Sequence, residues 1–106
     1  MSLEKFEQKE PEQKQLVEKV ISLQNVDGSW NSKAVLTFIA VKDEKLGEIT
    51  DVKIEILLTY LVILWMEKNP QKQYSLLIKK AKSWLKKAME DAAVDERKLE
   101  KFNVYV

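Results

Sequence analysis

The sequence predicts an all-α domain, a bundle of four to five helices around a buried central helix, and three observations carry that prediction. Glycine and proline number only two each in 106 residues, so segments that favour helix run long before a breaker interrupts them. Residues 54–66 are apolar at nearly every position, the signature of a helix surrounded on all sides. Residues 72–88 repeat their apolar positions with a period near 3.6, so that a single face is left to pack. A chain of this length forms one core and has no room for a second domain.

The elements follow in chain order. Residues 1–10 scatter Leu3 and Phe6 among charges and read as a flexible lead-in, with residues 11–106 as the single helical domain. Pro11 suits a first helical turn, where its missing N–H is no loss. Leu16, Val17, Val20, Ile21 and Leu23 then share one arc of an amphipathic helix that ends near Gln24, with Lys14, Glu18, Lys19 and Ser22 opposite. The stretch 25–31 breaks the helix, with Asp27 and Gly28 supplying the turn chemistry. Residues 32–41 form a mostly apolar run compatible with a short helix or a strand; helix is favoured because no partner strand is evident elsewhere.

A charged connection over 42–51 leads to Thr50 or Asp51 as the N-cap of the central helix. Its apolar run from 54 to 66 is well short of the roughly 20 residues that a membrane span needs, which argues for a protein interior and no membrane. Glu55, the one acid inside it, is expected on a solvent-facing edge near Thr59 on the wheel. Asn69 and Pro70 end this helix. In the next, Tyr74, Leu77, Ile78, Ala81, Trp84, Leu85 and Ala88 cover about a third of the wheel and lysines fill much of the rest. The tail beyond Ala93 is expected to return Leu99 and Phe102 to the core through a short helix.

Little in this chain points to catalysis. It has neither histidine nor cysteine, which removes the commonest zinc ligands, thiolate nucleophiles and the side chain that titrates near neutral pH. No phosphate-binding loop or metalloprotease, serine-hydrolase or calcium-loop pattern is present. No carboxylate pair shows the split environments that acid–base chemistry requires. The expectation is a protein that is not an enzyme, with no cofactor, no metal and no small-molecule substrate. With 18 basic and 17 acidic residues the net charge is +1, so any electrostatic partner must meet a local patch. The only such concentration is the face carrying Lys72, Lys79, Lys82 and Lys86, the candidate partner-binding residues, together with Lys80 and Lys87. Lysine can hold a phosphate backbone, but a chain with Arg97 as its one arginine is poorly equipped to read bases, which argues against nucleic acid. The charged N-terminus lacks the apolar core of a signal peptide, and a cytoplasmic location is expected.

The stretch LQNVDGSW, residues 23–30, holds one of the two glycines and one of three tryptophans. A helix ending at Gln24 and turning on Asp27 and Gly28 can fold the Trp30 indole back over its own groove, while the Gln24 amide satisfies turn backbone groups. The four residues therefore read as a structural turn motif, and nothing in the pattern requires the Ser29 hydroxyl. The spacing Gln24-x3-Gly28-x-Trp30 resembles the QW motif of terpene cyclases, which braces helix ends without catalysis; here it occurs once, and no acidic catalytic box accompanies it. Three blocks in order, LVEKVISLQNVDGSW, ILLTYLVILWMEKN and YSLLIKKAKSWLKKA, resemble a different family. This is the C-terminal helical region of proteins that combine an inter-alpha-trypsin-inhibitor-type domain with a von Willebrand factor A domain, the vault poly(ADP-ribose) polymerase among them. The resemblance spans roughly residues 15 to 90. It implies a scaffolding, protein-interaction module without catalytic activity, with major vault protein as the partner.

Overall fold

A computed structural model describes residues 14–42, 52–69, 71–103 and 106. The expected lead-in over 1–10, Pro11 and the N-cap candidates Thr50 and Asp51 lie outside these residues, as do most of the charged connection and Pro70. The described chain is all-α. Helix α1 covers residues 14–22, α2 Ala34–Phe38, α3 Ile54–Lys68, α4 Ser75–Asp91 and α5 Glu96–Glu100, with a 3₁₀ turn Lys72–Tyr74 leading into α4.

Helix α3 is the centre. Nine of its residues are buried, on every side of the helix, as its unbroken apolar composition requires. It begins at Ile54 with Lys53 in the N-cap position and no side-chain cap, in place of the Ser, Thr, Asp or Asn cap that usually serves there. At its other end the Asn69 side-chain amide donates to the Trp65 carbonyl at 2.9 Å, the same acceptor that its backbone N–H reaches at 3.1 Å, so one residue closes the helix with two bonds. The chain then turns and α4 returns antiparallel along α3.

On α4 only one face packs: Ala81 and Leu85 are buried and Tyr74, Ile78, Trp84 and Ala88 are half-buried against the core. Helix α1 contributes Val17 and Val20, and α5 brings back Leu99 at 0% exposure with Phe102 close behind at 4%. The run over 32–41 is helical only from Ala34 to Phe38, and the Lys19 ammonium lies 5.6 Å from the centre of the Phe38 ring, tying α2 to α1. Ala40 then adopts a positive φ of 60°, and the Val41 N–H donates to the Leu36 carbonyl at 3.0 Å. The end of α4 repeats the device with Ala93 at φ 54°: Val94 N–H reaches the Met89 carbonyl at 2.8 Å and Ala93 N–H the Glu90 carbonyl at 3.2 Å. Both are left-handed helix stops of the kind that usually carry glycine, and each turns the chain so that the following valine is buried.

One expectation fails within α3. Glu55 is half-buried, but Thr59, placed by the wheel on the same solvent edge, has no exposed surface at all. The 23–30 corner covers that side of the helix, and the threonine hydroxyl supplies the polar partner that the corner's backbone needs.

Candidate interaction surface

The corner is built before any surface can be. Trp30 is completely buried; its indole N–H donates to the Val20 carbonyl at 2.7 Å, and its backbone N–H donates to the Thr59 hydroxyl at 2.9 Å. Gln24 donates through its side-chain amide both to the Gly28 carbonyl at 3.0 Å and to the Leu77 carbonyl on α4 at 3.1 Å. Gly28 has φ +100° and lies so close to α4 that a Cβ there would meet the Lys80 carbonyl oxygen at 3.0 Å. The position is therefore closed to side chains twice over, by conformation and by space. Asp27 accepts from the Ser29 N–H at 2.9 Å and from the Ser29 hydroxyl at 2.6 Å. These bonds, the hydroxyl bond first, hold the Asp27 carboxyl below the usual aspartate range. Ser29 is thus more than a spacer: it is buried, and its hydroxyl also accepts from the Asn25 amide at 3.1 Å. Gln24, Asp27, Gly28 and Trp30 all meet in this one corner, which joins α1, α3 and α4.

With that flank fixed, the opposite seam between α3 and α4 stays open. Lys72, Lys79, Lys82 and Lys86 are all exposed on it, and they line two adjoining grooves. One, of about 340 Å³, has Met66 and Ile78 in its floor and Lys72, Lys79 and Lys82 at its edge. The other, of about 660 Å³, is floored by Tyr60, Ile63, Leu64, Leu85 and Met89. Along its edge α4 presents Lys82, then Lys86, then Glu90 one turn further on, and α5 adds Glu96 and Glu100. Glu67 and Lys82 line both grooves and pair across the seam at 3.7 Å, each about half exposed. So exposed a pair adds little stability, and either side chain can turn to another partner. At the acidic end the Tyr60 hydroxyl donates to the Asn103 side-chain oxygen. Burial, then the carboxylates of Glu100 and Glu96, push the Tyr60 hydroxyl above the usual tyrosine range in spite of that bond.

The lysines were legible from the helical wheel. The acidic end was not, because it forms only when α5 returns Glu96 and Glu100 beside the end of α4. The one available signal was the expected return of Leu99 and Phe102, which fixes the facing of α5. Among the described residues no group of three or more acidic side chains is arranged to hold a metal ion, and no helix is long and apolar enough to cross a membrane. Comparison with family models, with curated proteins and with solved structures finds no match to this chain.

Proposed function

We propose that this chain is a cytoplasmic protein-interaction module without catalytic activity of its own, and that the α3–α4 seam is its docking surface. The observation that carries the reading is the pair of adjoining grooves, about 340 and 660 Å³, with apolar floors and charged edges. An apolar strip with polar margins is the form taken by grooves that receive a helix of another protein. Met66 and Met89 suit such a floor, since their unbranched side chains adapt to a partner's shape. The resemblance of the three sequence blocks to the vault-attachment region makes major vault protein the partner to test first.

A second reading uses the same helix differently: Lys79, Lys82, Lys86 and Lys87 are all exposed on α4 and could hold a nucleic-acid backbone or another acidic surface. Co-sedimentation with assembled major vault protein particles at low and at moderate salt separates the two. Apolar docking predicts co-sedimentation that survives moderate salt. Phosphate binding predicts retention on a duplex DNA or RNA column that collapses as salt rises. A folded domain that remains in the supernatant at micromolar concentration removes major vault protein as the partner.

A further inference from the structure

The two grooves form one charge-polarised track. Helix α4 passes along it from Ile78 to Glu90, about 18 Å or roughly three turns. The end near the start of α4 is edged by Lys72 and Lys79. The end near its C-terminus is edged by Glu90, Glu96 and Glu100, three carboxylates against the single Lys86 one turn before Glu90. Between them the Glu67–Lys82 pair bridges an otherwise apolar floor. A track with cations at one end and anions at the other discriminates the direction of what lies in it, because a reversed ligand places like charges together at both ends.

We infer that the seam receives an amphipathic helix of a partner protein whose acidic residues are gathered in one half and basic residues in the other, with the acidic half over Lys72 and Lys79. This rests on the reading of the seam as a docking surface. Three turns of ligand present apolar residues at i, i+3, i+4 and i+7, which meets the spacing of Ile78, Leu85 and Met89 along α4. The ligand's acidic half then lies over Lys72 and Lys79 and its basic half over Glu90 and Glu100, and these contacts set which way the helix runs along the track. A second copy of this chain fits less well, since two concave faces do not fill one another.

The test uses two synthetic helical peptides of identical composition and apolar stripe, one with its acids gathered in one half and its bases in the other, the second with the same charges alternated along its length. Fluorescence anisotropy against the whole chain should give at least tenfold tighter binding of the first. The double variant Lys72→Glu, Lys79→Glu, checked for helical circular dichroism, leaves acidic residues at both ends of the track and should abolish that preference. Equal binding of both peptides that is lost in Met89→Glu overturns the polarity rule while leaving the seam as a docking surface. Equal binding that Met89→Glu leaves unchanged, or binding of neither peptide, overturns both. A concentration-dependent dimer in sedimentation equilibrium that Met89→Glu abolishes assigns the seam to a second copy and also overturns the inference.

Discussion

The backbone N–H of Trp30 donates to the hydroxyl of Thr59 at 2.9 Å, and both residues are fully buried. This contact fixes the corner to the central helix at a point where no water can substitute. Thr59→Val keeps the shape and removes the acceptor, so it should cost about 1 to 3 kcal/mol by leaving a buried N–H unpaired. Thr59→Ser keeps the acceptor and should lose less. Urea denaturation midpoints at constant slope measure the difference; a Thr59→Val midpoint equal to wild type would show that the corner relaxes around the loss.

Trp30→Ala should be more severe, about 3 to 5 kcal/mol, because it empties the centre of the corner. Trp30→Phe retains most of the apolar volume but loses the indole bond to the Val20 carbonyl, and should fall between that variant and wild type. Thermal melts of the pair rank the packing and hydrogen-bond contributions.

Gly28→Ala should destabilise despite the small side chain, since φ is +100° and the added Cβ would meet the Lys80 carbonyl at 3.0 Å. Alanine at Ala93 illustrates the reverse case. It already sits at φ 54°, a conformation that costs a non-glycine residue roughly 1 kcal/mol or more. Ala93→Gly should therefore stabilise by up to about 1 kcal/mol once the greater freedom of glycine in the unfolded chain is subtracted. A lower melting temperature for Ala93→Gly would contradict the helix-stop assignment.

The Asp27 carboxyl is held below its usual range by Ser29. A lowered folded-state pKa means that the unfolded chain binds the proton more readily. The carboxylate's contribution is therefore present above the ordinary aspartate value of about 3.9 and is lost as pH falls through the folded-state value. Asp27→Asn should flatten the acid limb of a stability–pH curve and leave the neutral region nearly parallel to wild type. An unchanged acid limb would show that the Ser29 bonds form equally well with the protonated group.

The parts of this fold that follow from periodicity are the parts that composition reveals. The unbroken apolar run over 54–66 requires a helix buried on all faces, and the 3.6-residue spacing on α4 selects Ala81 and Leu85 as its packed positions. Leu99 and Phe102 are legible because they are the apolar residues spaced for one face in a charged tail. Thr59 is misread because a helical wheel scores a hydroxyl as polar without knowing which residue, 29 positions away, will need it. The helix stops at Ala40 and Ala93 carry no signal, since alanine gives no hint of a positive φ. On the candidate surface, Lys72, Lys79, Lys82 and Lys86 follow from the wheel. Glu90, Glu96 and Glu100 do not, because their convergence depends on where α5 docks.

The most direct test of the seam as the docking surface is a methyl NMR titration of the chain with major vault protein. Ile78, Leu64 and Met89 report on the two grooves, while the exposed Val26 and Leu76, 91% and 76% accessible and lining neither groove, serve as internal controls. The account predicts that the Ile78, Leu64 and Met89 methyl signals shift or broaden first, and that Val26 and Leu76 stay in place. Movement of Val26 and Leu76 with the groove methyls unchanged would contradict it.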